Sequence, residues 1–329
     1  MMDLRLNGFL ALAVLLASLA SLFSGGSGIG FETLTGLLAG SDDLDVLILG
    51  ELRAPRVLLG LLIGSGLGAA GAVLQGYFRN PLADPGVVGV SASAGLGAVI
   101  ALYFGLSASF VYAVPVSAVG GAALGVGVLL LLAGARASAT TLILAGVAVG
   151  AIATALTGLL MNMAPNPWAL SEIAYWLMGS LKDASWNEVR FAAPIIISGL
   201  LVLALTPRSL DTLSLGEETA RSLGVDMARL RFLVIGGAAL VVGGGVAVSG
   251  AIGFVGLVVP HLLRPFVAYR PGALILPSAL GGAVLIVLAD LTTRLMSGPG
   301  MPLYLGVLTA LLGAPFFLWL VRSTQRNAP

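Results

Sequence analysis

One histidine, His261, stands in a chain without cysteine, and the carboxylates fall almost wholly between apolar runs. A hydrolytic centre needs a nucleophile, a base and an orienting group within reach of one another, and these residues offer too few members for one. The missing cysteine also removes disulfides, thiolate metal sites and a cysteine nucleophile. A lone histidine with no nearby carboxylate is a poor metal ligand, so no metal site is assigned. No Gly-x-x-x-x-Gly-Lys-Ser/Thr phosphate loop occurs and the only lysine is Lys182, so the chain is not expected to bind ATP by itself. The residues left for function are ionic groups near the ends of apolar runs, chiefly Arg53, Arg56, Asp290 and Arg294, and one long polar loop.

Hydrophobic residues fill 58% of the 329 positions and charged ones only 9%, against roughly 25% charged in a soluble domain. A water-soluble fold has nowhere to bury so much apolar surface. Apolar runs fall at about 8–24, 57–78, 90–106, 111–135, 141–163, 191–206, 230–250, 252–268, 273–295 and 303–321. A bilayer core about 30 Å thick takes roughly 20 apolar residues per helix. The runs therefore predict an all-α, polytopic membrane helical bundle of about ten transmembrane helices, a single domain over 1–329. The first run follows Arg5 and has the length of a secretory h-region, but later runs are equally apolar, so it is read as an uncleaved span.

Net charge is +1 and the basic residues are scattered, so no field points to nucleic acid. Their sidedness is informative. With a cytosolic N-terminus and alternating spans, only Arg53, Arg56, Lys182, Arg190 and Arg294 lie outside, and eleven of the sixteen basic residues lie inside, as the positive-inside rule asks. Both termini are then cytosolic. Segment 31–56, acidic at Asp42, Asp43 and Asp45, falls outside, as does 164–190, whose tryptophans suggest a short interfacial helix. Segment 207–231 falls inside and is the longest polar stretch. Small residues let helix backbones approach where no hydrophobic force drives association. Among the 46 glycines, Gly64, Gly68, Gly71, Gly236, Gly237, Gly243, Gly244 and Gly245 are read as such packing positions.

In the inside loop, Ser214 precedes Glu217 by three residues, the spacing of a capping box. It predicts a short helix through Glu218, Thr219, Ala220, Arg221 and Ser222, ended by Gly224, with Leu215 and Leu223 near its ends. Such an amphipathic turn suits a groove on a soluble partner. It serves equally as a connector that caps the bundle.

The stretch "LSLGEETARSLGV" resembles the coupling loop of the FecCD/BtuC-type permeases, the membrane subunits of importers for iron-siderophores, haem and cobalamin. "QGYFRNPLADPGVVGVSASAG" (75–95) resembles that family's segment after the second span, "GAIGFVGLVVPHLLRP" (250–265) its most recognisable motif, and "TALLGAPFFLWLVR" (309–322) its C-terminal helix. The agreement runs in consistent order from about residue 50 to 322, and the set together is specific. The resemblance implies a homodimer in the bacterial inner membrane with ten spans per subunit. It implies two copies of a separate ATP-binding-cassette ATPase that bind ATP and Mg, and a periplasmic or lipid-tethered substrate-binding protein. ATPase coupling would fall to Leu213, Ser214, Leu215, Gly216, Glu217, Glu218, Ala220, Arg221, Leu223 and Gly224. Arg53, Arg56 and Arg294 would receive acidic residues of the binding protein.

Taken alone, outward arginines also fit snorkelling to lipid phosphate or pairing with Glu51 and Asp290. Asp290 and Arg294 have the spacing of an i,i+4 pair. Asn80, Pro81, Asp84, Pro85 and Gly86 interrupt any continuous helix. Irregular backbone at membrane depth is tolerated where it lines a cavity, so this stretch, with Ser91 and Ser93, is a candidate for the inner pathway. The other reading is an ordinary turn with Asp84 paired to Arg79. His261 and Arg264 are placed at the cytosolic interface, where His261 fixes a helix end. "GPGMPLYLG" (298–306) departs from the family, which usually has an acidic residue, an aliphatic and a proline there; Tyr304 stands near the usual proline.

The expected function is import of an iron-siderophore, haem or cobalamin-type chelate by alternating access, with no ATPase site or cofactor in this chain. The competing class is an ion-gradient-driven secondary transporter, for which broken helices also serve but which needs a buried coupling carboxylate. A non-transporting scaffold has no use for the short inside helix.

Overall fold

The computed structural model describes residues 2–24, Thr33, Gly36, 43–134, 137–298 and 302–326. Asp42, Arg136 and residues 299–301 of the divergent outer stretch lie outside the described residues. Helix α1 is Met2–Phe23. A short helix Leu44–Leu47 runs through a π-helical stretch Ile48–Arg53 into α2, Ala54–Phe78. There follow α3 Val90–Tyr103, α4 Ala113–Ala133, α5 Ala139–Asn162, α6 Pro167–Leu177 and α7 Trp186–Leu203. The 207–231 loop carries α8 Pro207–Leu213 and α9 Glu217–Ser222. Then come α10 Met227–Ser249, α11 Val255–Leu263, α12 Pro271–Met296 and α13 Leu305–Arg326.

Among the described residues, 7 segments are long and apolar enough to cross a membrane, and shorter apolar helices at Val90–Tyr103, Val255–Val267 and Leu305–Leu320 occupy the remaining runs. Large apolar side chains such as Leu124, Leu131, Leu144 and Ile152 are exposed on α4 and α5. That outward apolar surface is what a lipid-facing helix presents and a water-facing one does not.

The core is built around α2, which packs on α12, α10, α7 and α11. Its side chains are small for a reason that can be measured. A Cβ added at Gly68 would lie 2.0 Å from the Ser278 carbonyl oxygen, and one at Gly64 would lie 2.3 Å from that of Gly282. The α2 and α12 backbones therefore touch, as small-residue packing in a bilayer requires. Gly71 makes the same approach to Gly256 of α11. Gly236 does not share this role: a Cβ there meets nothing within 4 Å.

The second span begins earlier than hydropathy indicates. The continuous helical segment is Leu44–Tyr77, 34 residues, about 51 Å at 1.5 Å per residue, well beyond a core of about 30 Å. Apolar residues of 44–52 extend the helix outward through the π-helical stretch, so Arg53 and Arg56 lie inside it rather than ahead of it.

Candidate functional site

The arginines expected at the outer surface form a network at the ends of three helices. Arg56 holds Asp290 of α12 in bidentate fashion, Nε donating to Oδ2 at 2.9 Å and Nη2 to Oδ1 at 2.8 Å. Arg294, one helical turn after Asp290, approaches the same carboxylate at 3.5 Å through Nε and donates through Nη2 to the Ser21 carbonyl of α1 at 2.9 Å. Arg53 is buried and donates to the Leu22 carbonyl at 2.7 Å. The last turn of α1 leaves carbonyls without helical partners, and the two arginines fill that role. The expected pairing of Asp290 with Arg294 is thus present but secondary, and Glu51 is not Arg56's partner. Asp290 is buried, six residues before the end of α12, deeper than its sequence position suggests.

At the opposite end of α2, Arg79 ends the helix in the left-handed region, with φ 49°. Asn80 accepts Leu82 N–H at 2.9 Å, and Asp84 accepts Gly86 N–H at 2.8 Å, capping a 3-10 turn over Pro85–Val88. Asp84 is therefore used as a cap, and the ion pairs among the described residues do not include it. Burial raises its carboxyl above the ordinary aspartate range, and the Gly86 N–H works the other way. Pro81 is half-buried, Pro85 is buried against Gly256, and Gly86 is exposed. Ser91 is half-buried, whereas Ser93 is buried with its hydroxyl facing Gly125 of α4.

Gln75 is the residue that sequence reading missed here. Pro260 lacks an N–H and so leaves the Gly256 carbonyl of α11 without its helical donor. Gln75, buried on α2, donates Nε2 to that carbonyl at 3.1 Å, while its Oε1 accepts Arg264 Nη2. Arg264 is thereby tied into the bundle. His261 sets its ring edge-on to Phe316 of α13 at 5.7 Å, and its buried Nδ1 finds no hydrogen-bond partner among the described residues. Arg231 of α10 was also not singled out, yet it donates to the Gly134 and Ala137 carbonyls at 3.2 and 2.8 Å and so fastens the α4–α5 turn.

The 207–231 loop folds as a short helix, but not from Ser214. That residue has helical φ −61°, ψ −22°, and its hydroxyl donates back to the Asp211 carbonyl at 2.6 Å. An N-cap needs extended backbone, and Gly216 at φ 110°, ψ 151° takes that position, so no capping box forms there. The end is as expected: Gly224 at φ 87° closes a Schellman motif, with Val225 N–H on the Ala220 carbonyl and Gly224 N–H on that of Arg221. Leu213 and Ala220 are buried beneath the loop, while Leu215 and Leu223 are 65% and 64% exposed. Glu217 and Arg221 pair at 2.6 Å along α9, and Glu218 lies in its first turn. Asp211 of α8 binds Arg270 at 3.1 Å and accepts Gly272 N–H at 2.7 Å, which anchors the loop to the start of α12.

Two cavities open at the end of the bundle that carries the arginines. One, of about 560 Å³, includes Tyr175, Trp176, Lys182 and Tyr304 in its wall; the other, of about 390 Å³, includes Arg56, Arg294, Lys182 and Tyr304. Tyr304 stacks on Tyr175 with ring centroids 5.8 Å apart and planes 9° apart. Partial burial raises the Tyr304 phenol above its ordinary value, with Tyr175 and Asp183 acting the same way.

A model of the FecCD transport family matches residues 12–323. The Fe(3+)-citrate import system permease protein YfmE of Bacillus subtilis (strain 168) is 39% identical over 97% of this chain and 95% of its own length. The cobalamin import system permease protein BtuC of Halobacterium salinarum is 40% identical over 85% of this chain and 75% of its own. A solved metal-chelate type ABC transporter in an inward-facing conformation superposes with a TM-score of 0.86 at 32% identity, covering 97% of this chain and 99% of that one.

Proposed function

The chain belongs to the FecCD transport family, and from that premise we propose that this permease subunit of an ATP-binding-cassette importer carries a metal chelate or corrinoid inward as one half of a homodimer. The cargo class is supported by relatives whose names specify ferric citrate and cobalamin. On this reading the three shorter apolar helices cross the membrane along with the seven long ones, giving ten spans with both termini in the cytosol. Two ATPase subunits dock on α9, a binding protein docks on the arginine-bearing end, and the 79–89 turn with Ser91 and Ser93 flanks the inner part of the pathway.

The single observation that carries this reading is the presentation of Leu215 and Leu223. Both are exposed at the ends of α9, while Leu213 and Ala220 anchor the loop from beneath. Two exposed leucines on a short helix that the bundle holds rigidly are suited to a groove on a soluble protein, and α8 joins that loop to α12 through Asp211. Motion imposed on α9 thus reaches the helix that carries Asp290. At the outer end, Arg56 and Arg294 offer binding-protein carboxylates a cationic surface, although Asp290 already engages both, whereas Arg53, expected there too, is buried on the Leu22 carbonyl and does not reach that surface. His261 and Arg264 support the α11 end on the ATPase side.

Co-purification with the cognate ATPase tests the coupling surface. A Leu215→Asp/Leu223→Asp variant is expected to remain a folded membrane dimer and to lose the ATPase. Retention of the ATPase at wild-type stoichiometry would exclude α9 as the docking element.

A further inference from the structure

Arg231 lies where the 207–231 loop runs into α10. Residues 223–226 join α9 to α10 without slack: Val225 N–H closes on the Ala220 carbonyl, and Asp226 caps α10 by accepting the Ala228 and Arg229 N–H groups at 2.9 and 3.0 Å. One turn into α10, the Arg231 guanidinium reaches both sides of the α4–α5 turn. Its Nη1 donates to the Gly134 carbonyl at 3.2 Å and its Nη2 to that of Ala137 at 2.8 Å. Buried Tyr77, in the last turn of α2, sets its hydroxyl against the same guanidinium, and Glu217 of α9 acts on that hydroxyl through space. Carbonyls at a helix end lack helical donors and favour a cation. The planar fork of arginine serves several such oxygens at once, which the point charge of a lysine does not.

The helix on the far side of that turn is gripped at a second point. α5 packs on α3, α4 and the Pro85–Val88 turn, and much of its remaining surface is exposed apolar side chain, Leu144, Ile152 and Leu159 among it. A Cβ at Gly146 would lie 2.5 Å from the Val87 carbonyl oxygen, and one at Gly89 would lie 2.7 Å from that of Gly146. Backbones this close transmit a displacement rather than absorb it, so α5 and the 79–89 turn shift together. We propose that Arg231 is a positioning residue for transport: its hydrogen bonds to Gly134 and Ala137 carry motion of α9 and the start of α10 to α5, and α5 carries it to the 79–89 turn. The inference rests on the importer reading and goes beyond it, assigning to one side chain the step between α9 and the inner pathway. Asp211 supplies a separate link, from the same loop to α12. α4 packs on α10 in mid-span as well, where Gly243 approaches Ala122, so loss of the Arg231 contacts leaves that packing in place.

The chain has no cysteine, so a single introduced one carries a spin label without competition. Two exposed positions are labelled in the full permease with its ATPase in nanodiscs, Thr219→Cys on α9 and Thr140→Cys in the first turn of α5, and each spectrum is read with and without ATP and vanadate. With Arg231 present, both labels should respond to nucleotide. In Arg231→Met the Thr219 label should respond and the Thr140 label should not, and chelate uptake per ATP hydrolysed should fall about tenfold at unaltered Tm. Arg231→Lys, which keeps the charge without the fork, should show a reduced Thr140 response, and it decides the matter if the methionine variant does not assemble. A full Thr140 response in the Arg231 variants, uptake per ATP at the wild-type value, or a Thr140 label silent in the wild-type chain while Thr219 responds would each overturn the proposal. A Thr219 label silent in the wild-type chain removes the docking of α9, on which the proposal rests, so the label that fails tells the two conclusions apart.

Discussion

Asp290 is the most constrained ionisable residue of the outer end. Its side chain is 4% exposed and receives Arg56 bidentately, with Arg294 beside it. Removing one partner of a buried pair leaves the other charge uncompensated, and here two guanidiniums would remain. Asp290→Ala is therefore expected to cost about 3–5 kcal/mol, read as a lowered Tm of the solubilised transporter. The double variant Arg56→Met/Asp290→Leu should recover most of that loss, since an apolar pair of similar volume avoids the desolvation cost. An Asp290→Ala protein as stable as wild type would show that the pair holds nothing together. Pairing of the outward arginines with Asp290 was one of the open readings of the sequence, but that Arg56, 234 residues away, and not the i,i+4 neighbour Arg294, is its bidentate partner was not legible, because a contact between helices depends on register that no local pattern encodes. Gln75 was hidden for the same reason: its partner is a carbonyl orphaned by Pro260 on another helix. That donor could have been sought, since a proline inside an apolar helix always frees a carbonyl four residues earlier.

Helices were legible where periodicity and composition suffice, and their ends were legible where a glycine must take positive φ. Gly224 is such an end, at φ 87°. The start of α9 was not, since Ser-x-x-Glu occurs twice in this chain. Ser185 itself has extended backbone, φ −134° and ψ 174°, and its capping box with Glu188 forms, whereas Ser214 is still helical in the turn that ends α8. Spacing alone cannot distinguish the two, because the cap depends on the capping residue's own backbone being extended rather than helical. The start of the second span was misplaced because charged Arg53 and Arg56 interrupt a hydropathy run without interrupting a helix whose charges are paired within the bundle. Glycine roles divide in the same way. Gly68→Ala would place a methyl 2.0 Å from a backbone oxygen on α12 and is expected to destabilise the bundle by about 1–3 kcal/mol. Gly236→Ala meets open space and should be neutral or slightly stabilising. Equal thermal stability of the two variants would remove the close α2–α12 contact from the account of the fold.

Over the whole molecule, the membrane character, the helical class and the order of family motifs were all readable before the structure, because 58% apolar composition and long runs admit few other solutions. What needed three dimensions is how the two ends are joined. Arg56 near one end and Gln75 near the other lie on α2, and α2 packs along α12, whose start is tied to α8 and so to the exposed helix α9. On the proposed importer reading, this continuous stack of packed helices links α9 to the arginine network as a body that rocks as a unit between two arrangements. The most direct test is uptake of a radiolabelled iron chelate into vesicles holding the permease with its ATPase and binding protein. Uptake should require ATP and persist when an uncoupler collapses the ion gradient. Uptake that continues without ATP and stops with the uncoupler would contradict the account.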